Sequence, residues 1–144
     1  MFSNPDIGEI CNLLRDVRII AMVGLSPLPK RPSYRIARGL QGLGYKIVPV
    51  RPLVTEILGE RAYSALSEVP DPVDLVHVIR PTRYLDSIVD DCLARNFKRL
   101  WIQEGIINEP AAERARDNGI EVIMDRCIWR DRNGPCGPLL ADSL

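Results

Sequence analysis

Two short apolar runs constrain the fold of this chain more than any other feature: Ile19-Ile20-Ala21-Met22-Val23 and the segment from Val73 to Ile79. Both have strand length and are nearly continuous in apolar or β-branched residues. A strand wetted on one side alternates polar with apolar, whereas an unbroken run reads as covered on both faces, as in a parallel sheet. Parallel neighbours need crossover connections, and the sequence supplies them. Ile36, Leu40 and Leu43 mark a helix from about Ser33 to Gly44, after which Tyr45 to Val50 forms a second β-rich run closed by Arg51-Pro52. Thr55 to Val69 is an irregular connection with Gly59 and a short helical turn. Pro81-Thr82 opens a helix striped by Leu85, Ile88, Val89, Cys92 and Leu93, and Lys98 to Gln103 returns as a strand. Asn108-Glu109-Pro110 starts a helix that ends at Asn118-Gly119, and Ile120 to Met124 is the last strand.

The ends of the chain carry their own signals. Asn4-Pro5 reads as a helix cap with proline in the first turn, followed by the stripe Ile7, Ile10, Cys11 and Leu14. After Trp129 the segment with Asn133-Gly134-Pro135-Cys136-Gly137-Pro138 shows no periodicity and is expected to be extended or mobile. The expected organisation is therefore one α/β domain over 1–129 with a helical extension at 4–16, and a tail over 130–144. Its architecture is a Rossmann-like three-layer fold, with a mostly parallel five-stranded sheet and helices on both faces.

Nineteen basic and nineteen acidic residues leave no net charge to steer the chain to nucleic acid or to an anionic membrane, so any anion site must be local. No segment approaches the roughly 20 apolar residues of a membrane span, and no signal sequence is legible, which predicts a cytoplasmic protein. Cys11, Cys92, Cys127 and Cys136 have no metal-ligand spacing, and reduced thiols are expected. Cys11 and Cys92 fall on apolar helix stripes, while Cys127, beside Arg126 at the end of the last strand, is the one candidate for a reactive thiol.

Ligands of such sheets lie beyond the carboxyl ends of the strands, where strand order reverses. That rule places Gly24, Leu25, Ser26, Pro27 and Lys30, then Arg51-Pro52, Arg80-Pro81 and Gln103-Glu104-Gly105, along one crevice. The first turn breaks at Gly24 and is stiffened by prolines. It then brings Lys30, Arg31 and the Ser33 hydroxyl to a helix start, a favourable seat for phosphate. A dinucleotide fingerprint is missing: there is no GxGxxG, and Arg51 stands where an acidic residue would hold the ribose hydroxyls. A cation there suits a phosphorylated ribose, either the 2′-phosphate of NADP or the 3′-phosphate of coenzyme A.

The blocks Val-Gly-Leu-Ser at 23–26, Arg-Pro-Ser-Tyr at 31–34, Val-Pro-Val-Arg-Pro at 48–52, Trp-Ile-Gln-Glu-Gly-Ile at 101–106 and Val-Ile-Met-Asp-Arg-Cys-Ile at 122–128 are more specific. Together they resemble the small stand-alone CoA-binding proteins, which are similar to the N-terminal domain of the succinyl-CoA synthetase α-subunit. The resemblance spans Val17 to Ile128. It implies that CoA or acyl-CoA is the ligand, with its ADP part over the first turn and its pantetheine arm across the strand ends. It also matches Arg31, Ser33 and Tyr34 to the family's loop-to-helix block. Relatives commonly have Asn-Pro in place of Arg51-Pro52, and often an uncharged residue in place of Glu104.

A synthetase-type ligase needs a phosphorylated histidine in a second domain, and the single histidine here, His77, sits mid-strand with the pattern of a structural imidazole. No catalytic set and no metal site is predicted. The favoured function is a CoA-binding protein without chemistry of its own: a sensor, a carrier, or an accessory to an acyl-CoA enzyme. An NADP-binding oxidoreductase-like domain and a nucleotide- or redox-sensing regulator are the alternatives. A homodimer or a partner acyl-CoA enzyme is compatible with the sequence.

Overall fold

The computed structural model describes residues 1–140. In chain order the elements are α1 (Ile7–Asp16), β1 (Ile19–Val23), α2 (Pro32–Gly42), β2 (Lys46–Val50), β3 (Glu56–Ile57), β4 (Glu60–Arg61), β5 (Leu75–Val78), α3 (Leu85–Ala94), β6 (Arg99–Gln103), α4 (Glu109–Asp117), β7 (Glu121–Arg126), α5 (Ile128–Asn133) and α6 (Gly137–Leu140). Five strands form one parallel sheet in the order β2-β1-β5-β6-β7. From β1 the chain first crosses to β2 on one side and later to β5 on the other, so strand order reverses at the carboxyl end of β1. The expected Rossmann-like α/β architecture is present.

Each face of the sheet has its own apolar layer. Ile20, Met22, Leu75, Trp101 and Ile123 pack with α1, α2 and α5 through Leu14, Leu40 and Ile128. Ala21, Val76, Val78, Leu100 and Ile102 pack on the opposite face with Leu85 and Val89 of α3 and Ala112 and Ala115 of α4. Double coverage explains why β1 and β5 read as nearly continuous apolar runs in the sequence.

Four local expectations are corrected. Asn4 does not cap α1: Asp6 does, accepting from the Glu9 amide at 2.8 Å. Asn4 instead exchanges two hydrogen bonds with the Met124 backbone, each 2.8 Å, and so caps part of the open edge of β7. The Thr55–Val69 connection contains a two-stranded hairpin turning at Leu58-Gly59, both in positive φ, before its short helical turn at Leu66–Glu68.

The segment from 130 onward is not extended, as far as it is described. It forms α5 and α6, buries Asp131, Arg132, Cys136 and Leu140, and folds back on α1. Asp131 takes a two-pronged ion pair from Arg126, at 2.6 and 2.9 Å, and Arg132 donates to the Tyr45 hydroxyl at 3.1 Å. Buried side chains this polar are held by pairing, which hydrophobic periodicity does not register. The remainder of the tail, 141–144, lies outside the described residues. The return of the chain also brings Cys136 to Cys11, with Cα atoms 5.2 Å apart, and the two form a disulfide where reduced thiols were expected. Cys92 and Cys127 are free.

Candidate functional site

At the end of β1 the backbone must turn sharply beneath its neighbour. Gly24 adopts φ +94°, and a Cβ there would lie 2.1 Å from the Ile79 carbonyl oxygen, so only glycine fits. Its amide donates to Val50 O at 2.9 Å, which ties the turn to the end of β2. The loop is then fastened by its own hydroxyls: the Ser26 amide donates to Ser33 Oγ at 3.0 Å, and the Leu28 amide donates to Ser26 Oγ at 3.1 Å. Each hydroxyl acts there as an acceptor and keeps its proton for another partner.

Arg51 closes the other side. Its Nη1 donates to the Gly24 and Leu25 carbonyls at 3.3 and 3.4 Å, bracing the turn as well as bringing positive charge. Gly24, Ser26, Pro27, Arg31, Ser33 and Arg51 line one cleft of about 470 Å³ with Leu28, Pro32 and Ile79. Two guanidinium groups and no carboxylate border it. The first turn of α2 opens there, with proline at its start, no acidic residue and no side-chain cap, so its amides and dipole favour an anion.

This cleft adjoins a second one of about 470 Å³ that shares Pro32, Ser33 and Ile79 and continues to Gln103, Glu104, Gly105, Ile106 and Cys127. An irregularity in the β6–β7 pairing shapes its far end: Asp125 takes φ +60°, and its carboxylate accepts from the Gly105 amide at 2.8 Å. The bulge re-aims the chain so that Arg126 pairs opposite Gln103 and Cys127 follows at the cleft. A third, smaller cleft of about 160 Å³ lies against Gly24 on the α3 side, bordered by Val50, Pro52, Ala65, Leu66, Arg80 and Tyr84 among others. The predicted single crevice is therefore three clefts: two border Gly24, and the third continues from one of these to Cys127.

Most of the predicted site residues come together, and three do not. Leu25 is fully buried in the core under the turn, so its side chain lines no cleft. Lys30 is exposed and borders none of these spaces, and Tyr34 packs against the apolar layer beneath α2. Sequence reasoning missed Tyr84, whose ring lies 3.9 Å from the Arg80 guanidinium, and the apolar lining from Ile36, Ile79 and Ile106. Ile79 and Ile106 follow strand ends, a position that could have flagged them.

Charges at the far end are balanced. Arg130 binds both oxygens of Glu104, one of them at 3.0 Å, and this guanidinium holds the Glu104 carboxyl below the usual carboxylate range. Burial pushes the Cys92 thiol up to about 12 and leaves it inert, whereas Cys127 is half-exposed at the cleft. His77 is fully buried and contacts Gln103 Oε1 through Nε2 at 2.8 Å, and burial drives its pKa down to about 4. A histidine so placed is neutral near pH 7. Among the described residues no cluster of histidine, cysteine or carboxylate suits a metal ion, and no helix is long and apolar enough to cross a membrane.

A reversed strand order with a glycine turn, a carboxylate-free cationic cleft and a helix start beside it defines a nucleotide-binding α/β domain. The family model described as the CoA binding domain matches residues 18–132, and the chain belongs to that family. Among its relatives, the Bacillus subtilis protein YneT is 38% identical over 126 residues, covering 88% of this chain and 93% of that protein. The α-subunit of acetate–CoA ligase (ADP-forming) II from Pyrococcus furiosus is 26% identical over 122 residues, or 77% of this chain, which spans only 27% of that subunit. A solved Thermus thermophilus structure superposes with a TM-score of 0.85 at 30% identity, covering 90% of this chain and 98% of the other.

Proposed function

We propose that this protein binds coenzyme A or an acyl-CoA and performs no chemistry on it alone, acting as a sensor, a carrier or an accessory to an acyl-CoA enzyme. The observation that carries the reading is the cleft at the start of α2, where Arg31, Arg51 and two serine hydroxyls face a glycine turn with no carboxylate nearby. In this reading the diphosphate lies against Gly24, Ser26 and Ser33, with Arg31 and Arg51 serving the phosphates. The nucleoside occupies the smaller space by Pro52, Arg80 and Tyr84. The pantetheine arm runs toward Gln103, Gly105 and Cys127. Gly24 and Cys127 end strands three places apart in the sheet, about 14 Å at the usual strand spacing, which is a path for an extended chain rather than a compact ligand.

Kinship with part of a ligase subunit supports a binding module detached from the catalytic parts, and the ligase's own activity is not assigned to this chain. We place the protein in the cytoplasm, with no nucleic-acid or membrane partner. The test is a titration with CoA, 3′-dephospho-CoA, NADP and NAD at fixed salt. CoA should bind tightest, and loss of the 3′-phosphate should weaken it by an amount that shrinks in Arg51→Ala. Absence of CoA binding would reject the proposal, and tighter binding of NADP would favour an oxidoreductase-like domain.

A further inference from the structure

The Gln103 side chain sits at the far end of the cleft with only 9% of its surface exposed. Its orientation is decided by a backbone group that has no choice of role. The Ile128 amide donates to Oε1 at 3.3 Å, so this atom must be the oxygen, and the imidazole Nε2 of His77 at 2.8 Å must then be the protonated nitrogen. With both donors committed to Oε1, the amide nitrogen Nε2 has no acceptor among the described residues. The cleft around it is lined by Ile36, Ile79, Ile106 and Cys127, with the Ser33 hydroxyl at its other end and the carboxylate of Glu104 engaged by Arg130. A group that is nine-tenths buried, fixed from behind and left with two unused N–H bonds imposes its chemistry on whatever occupies the space. An occupant that presents an acceptor there gains a hydrogen bond that one without it forgoes.

We propose that Gln103 is a carbonyl-reading residue: its Nε2 donates to a carbonyl oxygen in the arm of the bound CoA or acyl-CoA, with His77 as the positioning residue that holds the amide in this orientation. The assignment rests on the CoA reading above. The carbonyl belongs either to a pantetheine amide or to an acyl thioester, and both present the same acceptor. Gln103→Glu keeps the shape while replacing the donor with an acceptor. His77→Leu removes the positioning donor, and His77→Asn restores a neutral amide that can donate to Oε1.

The experiment measures affinities for CoA, acetyl-CoA, its thioether analogue S-ethyl-CoA, and 3′-phospho-ADP, which lacks the arm altogether. Gln103→Glu should lose roughly five- to tenfold in affinity for the armed ligand, about the worth of one hydrogen bond, while its affinity for 3′-phospho-ADP is unchanged. His77→Leu should reduce the same ratio and His77→Asn should recover part of it, a pattern that a purely structural histidine would not produce. A loss common to CoA, acetyl-CoA and S-ethyl-CoA identifies a pantetheine amide; a loss confined to acetyl-CoA identifies the thioester. If wild-type protein binds CoA but the ratios of both CoA and acetyl-CoA to 3′-phospho-ADP are unchanged in Gln103→Glu, the role of Gln103 is overturned. If wild-type protein binds neither, the CoA reading fails and this assignment falls with it.

Discussion

His77 makes the stability of this fold depend on pH in a calculable way. Its pKa falls from 6.5 in an unfolded chain to about 4 in the folded one, because burial penalises the imidazolium while the Gln103 contact opposes that effect only weakly. Between these values the unfolded chain binds a proton that the folded chain refuses, so stability rises with pH through this window and is complete above 6.5. At roughly 1.4 kcal/mol per pKa unit, acidification from pH 7 should remove on the order of 1 kcal/mol by pH 5.5 and on the order of 2 kcal/mol by pH 4.5 through this residue alone. Acidification also weakens carboxylates whose ion pairs hold them below their ordinary range, such as Glu104 beside Arg130, so a single profile does not isolate the histidine. The assay is therefore urea unfolding of wild type and His77→Asn at pH 7, 5.5 and 4.5. The wild type should lose more stability than the variant, by the amounts given. Parallel losses would show that His77 is hydrated or charged in the native state and would refute the burial argument.

Three further outcomes are expected. Gly24→Ala should destabilise the fold by about 3 kcal/mol or more in chemical unfolding, from positive-φ strain plus the collision with the Ile79 carbonyl; a change below about 1 kcal/mol would contradict the geometry of the turn. Cys11→Ser, or reduction of the wild type, should lower stability by about 2–4 kcal/mol by freeing the long loop between Cys11 and Cys136, and an unaltered midpoint would mean that the pair is not formed. In native, unreduced protein a thiol reagent should modify Cys127 and spare Cys92, and saturating S-ethyl-CoA, which has no free thiol to consume the reagent, should slow that modification; equal labelling of both cysteines would contradict their different burial.

The sheet and the turn were legible because their causes are local. Ile19 to Val23 is apolar throughout and Val73 to Ile79 nearly so, since both faces of β1 and β5 are covered, and Gly24 sits where no side chain fits. What escaped depends on partners distant in sequence. Asn4 looks like a cap until the edge of β7 arrives beside it, 120 residues later. Asp131 and Arg132 look like solvated charges, and only the approach of Arg126 and Tyr45 makes their burial tolerable. Cys11 matched the apolar stripe of α1, which concealed its bond to Cys136. Within the site, charge and hydroxyl positions could be read from the turn, but the direction of each side chain could not. Leu25 points into the core, Lys30 points away, and Arg51 spends part of its guanidinium on the turn itself.

The central claim is that CoA occupies the continuous space running from Gly24 to Cys127. Backbone amide chemical-shift mapping during a CoA titration tests it most directly, since ligand and location are read together. The account predicts the largest shifts at Gly24, Ser26, Ser33, Arg51, Gln103 and Gly105. Small shifts are predicted around the separate cavity bordered by Phe2, Leu13, Ile120 and Val122 at the start of β7. Shifts concentrated at that second cavity, or none at saturating CoA, would contradict it.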